Sequence, residues 1–216
     1  MHFKPQRKIK INWSPNFAYA IGLIVSDGYL SSDARHIGFK SADRELVEKF
    51  KIAIGIQNKI GGGARSNEKV KKYFYVTFGD IVFYRFLNEI GIKSAKSKII
   101  KSIIVPDEFF KDFLRGLFDG DGTFYSFWDK RWKSSFCYQI SFASASPNFI
   151  SWLKTKLNKL YNVKGFIRKG DGVFNLRYVK GDTRRLFTIM YGNKENQLFL
   201  ERKYIKIIRA LDKDRK

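Results

Sequence analysis

Residues 110–124 read FKDFLRGLFDGDGTF, and residues 17–30 read FAYAIGLIVSDGYL. Aligned on their Asp-Gly pairs, Gly22 falls on Gly116, Leu23 on Leu117, Ile24 on Phe118, Asp27 on Asp121 and Gly28 on Gly122. Each stretch reads as an apolar helix that stops at an acid followed by glycine. A glycine there predicts the left-handed turn that closes many helices. An aspartate at a helix C-terminus is unfavourable, because the helix dipole already places partial negative charge there. One such aspartate is ordinarily part of a turn. Two, at equivalent places in a repeat, point to a use for the charge.

Working outward, Ser14-Pro15 is a helix start, with Ser as cap and Pro at the first helical position. Ala18, Gly22 and Ser26 fall four apart, on one face, and Gly116 and Gly120 repeat that face in the second copy. Pro106-Asp107-Glu108 opens the second helix. Behind the first motif, 36–40 alternates as a half-buried strand, with Ile37 and Phe39 on one side. Asp43-Arg44-Glu45 starts a helix carrying Leu46, Val47, Phe50 and Ile54. Gly61-Gly62-Gly63 reads as a flexible turn and lacks the Lys-Ser/Thr of a phosphate loop. A hairpin over 64–69 and 72–78, a helix over 80–90 and a basic connector over 93–105 complete this half.

The second half runs in the same order. A strand and turn over 123–134 hold Trp128, Arg131, Trp132 and Lys133. A strand at 139–143, a helix from Ser146-Pro147, a hairpin over 164–179 and helices over 182–190 and 198–211 follow. Phe74-Tyr75-Val76-Thr77-Phe78 corresponds to Phe174-Asn175-Leu176-Arg177-Tyr178. The chain is thus two αββαββα repeats, expected as domains 1–105 and 106–216. Units of about 100 residues are too long for the usual solenoid repeats, so two fused copies are expected.

The formal charge is +22, from 42 basic and 20 acidic residues. Divided before Pro106, it is 19 − 8 = +11 and 23 − 12 = +11. Charge spread over both halves favours a polyanionic partner, most simply nucleic acid. One cysteine, Cys137, excludes an internal disulfide framework and a cysteine-based zinc site, and two histidines make histidine-rich metal sites a poor expectation. No apolar run approaches a membrane span. The opening MHFKPQRKIKI lacks a signal peptide's apolar stretch, so an intracellular, non-secreted protein is expected.

If Gly22 and Gly116 sit at a helix contact, Asp27 and Asp121 become neighbours. Two close carboxylates repel, and one takes up a proton unless a cation intervenes. Helix-end carbonyls add hard oxygen ligands, a set that suits Mg²⁺. Such ions, beside a phosphodiester, activate water and stabilise the leaving oxygen.

AIGLIVSDG at 20–28 and LRGLFDGDG at 114–122 resemble the two motifs of single-chain LAGLIDADG homing endonucleases, and the resemblance covers essentially the whole chain. It implies an α/β (α+β) fold with two pseudo-symmetric halves and antiparallel sheets forming a saddle over the DNA major groove. The motif helices, through Ala18, Gly22 and Gly116, would form the central interface. It implies metal binding by Asp27 and Asp121, joined by the carbonyls of Ser26 and Gly120. Mg²⁺ is the expected cofactor, with Mn²⁺ able to substitute. Basic residues near the scissile phosphates carry over by position to Lys203 and to Lys96 or Lys98, with Lys40 a further candidate. Outward strand and loop residues would contact DNA: Arg35, Lys40, Arg65, Tyr73, Tyr75, Thr77, Arg131, Lys133, Arg168, Asn175 and Arg177. Arginine pairs bidentately with guanine and asparagine with adenine, whereas lysines fix register on phosphates.

The implied activity is a metal-dependent double-strand break with short 3′ overhangs at a long, non-palindromic site, made by a monomer on double-stranded DNA with no membrane partner. The alternative is a non-cleaving nucleic-acid binder of the same fold, an intron RNA maturase or a DNA-binding regulator. The sixth motif position departs between the copies, Val25 against Asp119, and Lys40 is matched by Ala143.

Overall fold

Ser14 caps the first helix as its sequence dictates: its hydroxyl accepts a hydrogen bond from the Phe17 amide at 3.2 Å, and Pro15 takes the first helical position. In the computed structural model, which describes residues 8–64, 72–132, 134–192 and 197–214, this helix is α1, Pro15–Asp27. It is followed by β1 (Gly28–Leu30), β2 (His36–Ser41), α2 (Arg44–Ile54), β3 (Gly61–Gly63), β4 (Tyr73–Gly79) and α3 (Ile81–Glu89). A short helix, α4 (Lys96–Ile99), lies in the basic connector. After a turn of 3-10 helix at Asp107–Phe109 the order repeats: α5 (Phe110–Asp121), β5 (Thr123–Trp128), β6 (Phe136–Ser144), α6 (Pro147–Tyr161), β7 (Phe166–Lys169), β8 (Phe174–Val179) and α7 (Lys180–Tyr191). α8 (Glu201–Lys213) closes the chain.

Each half holds a four-stranded antiparallel sheet, in the orders β1-β2-β4-β3 and β5-β6-β8-β7. Central strands pair with Phe39 opposite Val76 and Phe142 opposite Leu176, so the alternating apolar residues line one face of each sheet. That face is the core: Ile37, Phe39, Val76 and Phe78 in one half, and Ile140, Phe142, Leu176 and Tyr178 in the other, are buried. Asp80 caps α3 through the Phe83 amide (2.9 Å), and its second oxygen accepts the Lys8 and Ile9 amides at 2.7 and 2.9 Å.

Compactness divides the chain elsewhere than the repeat does. The described residues up to Lys96 pack with Ile103–Gly120, and Ser97–Ser102 packs with the chain from Asp121 onward. The first unit therefore contains both α1 and nearly all of α5.

Two local expectations are corrected. Gly28 is not left-handed: its φ of −79° and ψ of 157° carry the chain straight from helix into β1. The glycine is needed for space, since a Cβ there would lie 2.6 Å from Ile24 Cα. Gly61–Gly63 is not a flexible turn but the edge strand β3, held by β4 with Gly61 opposite Tyr75 and Gly63 opposite Tyr73. Among the described residues no helix is long and apolar enough to cross a membrane.

Candidate metal and nucleic-acid sites

Within the first unit, α1 and α5 meet backbone to backbone. A Cβ on Gly22 would lie 2.7 Å from the Leu117 nitrogen and 3.0 Å from the Gly116 carbonyl carbon. One on Gly116 would lie 3.2 Å from Gly22 Cα. Those distances leave no room for a side chain, and Ala18 on the same face of α1 is fully buried. One turn on, a Cβ on Gly120 would lie 2.6 Å from Ser26 Cβ and 3.1 Å from Asp27 Oδ2. Gly120 thus meets the carboxylate end of α1. The Ser26 hydroxyl is turned back on its own helix, donating to the Leu23 carbonyl at 2.9 Å.

Asp27, half-buried, ends α1; Asp121, exposed, ends α5. In each half the carbonyl one residue beyond the acid accepts a hydrogen bond from a lysine that comes from far along the chain. Lys96, buried at the start of α4, donates to the Gly28 carbonyl. Lys203, half-buried on α8, donates to the Gly122 carbonyl at 2.6 Å, and Lys206 one turn later donates to the Phe124 carbonyl at 2.9 Å. Lys98 is exposed. Lys40 is exposed too, its ammonium 3.7 Å from the centre of the Tyr73 ring, a cation–π contact. Among the described residues no group of three or more His, Cys, Asp or Glu gathers into a metal cluster. Aspartate carboxylate with the helix-end carbonyls of Ser26 and Gly120 is an all-oxygen donor set, which fits a hard divalent cation that keeps part of its water shell.

The outward sheet faces differ between the halves. In the first, tyrosine rings lie over glycines of the neighbouring strand. A Cβ on Gly61 would meet the Tyr75 ring at 2.8 Å, and one on Gly63 would meet the Tyr73 ring at 2.8 Å. Tyr29 covers Gly38 in the same way, its hydroxyl 2.8 Å from Thr77 Oγ1. Rings laid across edge glycines stabilise a strand that has no side chains of its own. In the second half, Arg177 pairs with Ser141 and Phe166, and Asn175 with Ala143 and Arg168. Arg177 Nε is buried with no hydrogen-bond partner. The exposed Arg168 guanidinium lies 5.7 Å from the Phe166 ring centre. Arg131, after β5, forks onto Asp129 at 3.3 and 3.1 Å and holds that carboxyl below the usual aspartate range. Arg35 lies exposed in the turn between β1 and β2, its amide bonded to Asp33 Oδ1 at 3.0 Å. Arg65 and Lys133 fall outside the described residues.

A buried polar network between the motif helices escaped the sequence reading. Asp119, 1% exposed, accepts a hydrogen bond from the Tyr19 hydroxyl at 2.8 Å. The Arg115 guanidinium lies 5.5 Å from the Tyr19 ring centre and pairs with Asp112 at 2.7 Å, both side chains fully buried. The available signal was the set of charges at 112, 115 and 119, spaced by three and four along one face of the helix. Tyr29, Tyr125 and Phe127, exposed on the outward faces, were also passed over; strict alternation in β1 and β5 would have found them.

The fold is a tandem duplication of one α/β unit whose first helices each end on an aspartate. The model of the LAGLIDADG-like domain matches residues 14–91 and 108–201, so the chain belongs to that family. A search of curated proteins finds no match. Among solved structures, the homing endonuclease I-WcaI bound to its DNA recognition sequence is similar at 16% identity and TM-score 0.60, over 94% of this chain and 95% of that one. I-DmoI in complex with DNA and Ca is similar at 12% identity and TM-score 0.56, over 89% and 97%. Full-length DUF199/WhiA from Thermatoga maritima is similar at 17% identity and TM-score 0.59, over 96% of this chain. The chain spans 63% of the length of that protein. At these identities the likeness is one of fold.

Proposed function

We propose that this protein is a site-specific, divalent-metal-dependent DNA endonuclease that makes a double-strand break with short 3′ overhangs at a long, non-palindromic site. The observation that carries the reading is the duplicated station at the motif ends: an aspartate, then a carbonyl held by a distant lysine, once with Lys96 and once with Lys203. Its support is chemical. An acid at a helix C-terminus is destabilising unless a cation compensates it. Asp27 and Asp121, with the carbonyls of Ser26 and Gly120, would hold Mg²⁺, or Mn²⁺ in its place. When bound, such an ion activates water and stabilises the departing oxygen of a phosphodiester. Lys96 and Lys203 are fixed by carbonyls next to the acids, where fixed positive charge favours the negative charge that grows on a phosphate under attack. The +22 charge grips the duplex; Arg168, Asn175 and Arg177 on one sheet, and Tyr73, Tyr75, Thr77 and Lys40 on the other, contact it in the major groove. The protein acts as an intracellular monomer, the two halves of one chain serving the two strands.

The runner-up is a non-cleaving binder. It is favoured by the fold's likeness to DUF199/WhiA as well as to endonucleases, since the fold alone does not separate cutting from binding. A randomised plasmid library incubated with protein and Mg²⁺, against EDTA, separates the two. Asp27→Asn and Asp121→Asn should each lower double-strand cleavage by about 10²–10³-fold, the scale of losing one electrostatic contact to the transition state. DNA binding in EDTA should hold or tighten, because a charge that repels phosphate is gone. Retained double-strand cutting in either variant removes that acid from the chemistry; no cutting by the parent with Mg²⁺ or Mn²⁺ favours the binder.

A further inference from the structure

α8 carries Arg202, Lys206, Arg209 and Lys213 at spacings of four, three and four, a single stripe on one helix face. The stripe runs about 16 Å at 1.5 Å per residue. It borders β5, one of the two edge strands of the second sheet. Lys206 reaches the β5 backbone at Phe124; beyond that point an open groove of about 530 Å³ separates helix and strand. Its walls are the four cations with Phe127, Trp128, Phe136 and Ile205, and none of the residues lining it is acidic. Trp128 packs on Phe136, with ring centres 5.0 Å apart, yet is 54% exposed. Trp128 shares the core side of β5 with Phe124, away from Tyr125, and β5 is the far edge from β7 and β8. The groove is therefore distinct from the strand positions assigned above to duplex contacts.

We infer that this groove binds single-stranded nucleic acid. A row of cations in a cleft without acids selects a polyanion. A duplex keeps its base faces stacked inside, so the exposed Trp128 ring in the cleft would find nothing to stack on. An unpaired strand offers both partners: phosphates for the α8 stripe and a free base face for Trp128, the combination used by single-strand-binding surfaces. No motif acid takes part, so the inference does not rest on the cleavage reading and is tested without metal.

The test is fluorescence anisotropy in EDTA with labelled oligo-dT and oligo-rU of about 12 nucleotides, within the span of known single-strand sites. An unrelated duplex and an oligoglutamate peptide serve as comparators. Trp128→Ala should weaken single-strand binding by about 10-fold, within the range of one lost base stack, and Trp128→Phe should restore most of it. Arg209→Gln with Lys213→Gln should lower the log–log salt slope by about 1.4, two contacts at about 0.7 each. Duplex affinity should change less than about twofold in the aromatic variant. The dT and rU arms distinguish DNA from RNA as the source of the strand. Unchanged single-strand affinity in both variants overturns the inference. So does a neutral Trp128→Ala beside a weakened charge variant, which would mean a plain polyanion patch, and so does oligoglutamate binding as tightly as the oligonucleotides, which would mean an acidic protein partner. If Trp128→Ala melts early, the exposed Arg209 and Lys213 pair decides with the duplex comparator: a loss of single-strand affinity that the duplex does not share supports the inference, and an equal loss of both overturns it.

Discussion

α1 and α5 hold equivalent places in the repeat and meet at Gly22 and Gly116, but they bury different chemistry. The buried positions of α1 are apolar apart from the Tyr19 hydroxyl, whereas α5 buries Asp112, Arg115 and Asp119. At the matching places α1 has Ala18, Ile21 and Val25, and Tyr19 is matched by Phe113. The tyrosine hydroxyl that donates to Asp119 therefore has no counterpart on α5. A pairing of α5 with a copy of itself would set a phenylalanine where that donor stands. The duplicated helices have become complementary to each other and poor partners for themselves. Buried polar groups can act in this way, setting which helix pairs with which at some cost in stability.

Arg115→Met breaks that comparison hardest. It strands Asp112 in the core, where one Asp112 oxygen already has no partner, and should cost about 3–5 kcal/mol. Adding Asp112→Leu should recover much of the loss, because an apolar pair of similar volume removes the orphaned charge. Chemical denaturation of the parent, single and double variants reads this directly; a single variant as stable as the parent would mean the pair is not buried as described.

Gly22→Ala tests the closeness of the two backbones. A methyl 2.7 Å from the Leu117 nitrogen has to push the helices apart, costing about 1–3 kcal/mol. Displacing α5 also moves Gly120 from Asp27, so cleavage should fall further than stability does. Exposed Lys154→Ala on α6 should alter neither fold stability nor cutting. A Gly22→Ala protein that melts and cuts like the parent would mean the helices are not in backbone contact.

Tyr19→Phe sharpens the comparison with the smallest change. It makes α1 match Phe113 of α5 and removes the buried hydrogen bond from the Tyr19 hydroxyl to the Asp119 carboxylate, an expected loss of about 1–3 kcal/mol. Tyr19→Phe with Asp119→Val, which makes the two helices alike at both of these positions, should regain stability while increasing concentration-dependent self-association by sedimentation. Without that gain in self-association, the network serves stability and not pairing.

The sequence by itself determined the repeat, the element order and the even spread of positive charge, because these follow from local signals: Ser-Pro helix starts, alternation in β2, β4, β6 and β8, and charge counted over each half. It also picked out Asp27, Asp121, Gly22 and Gly116, since a duplicated oddity needs no three-dimensional context to be noticed. It misjudged Gly28 and Gly61–Gly63, and for one reason. A glycine chosen for conformation and a glycine chosen for space look alike in a sequence. Only the packed neighbours, Ile24 behind Gly28 and the Tyr73 and Tyr75 rings over β3, tell them apart. Family resemblance pointed to Lys203 and to Lys96 or Lys98, but residue spacing did not, and only the tertiary structure put Lys96 rather than Lys98 on the carbonyl beyond the acid. Lys96 lies 68 residues from Gly28 and Lys203 lies 81 from Gly122, separations at which no spacing rule operates. It also decided that α5, first helix of the second repeat, packs with the first unit, because burying an apolar helix face depends on what lies across from it and not on where it falls along the chain.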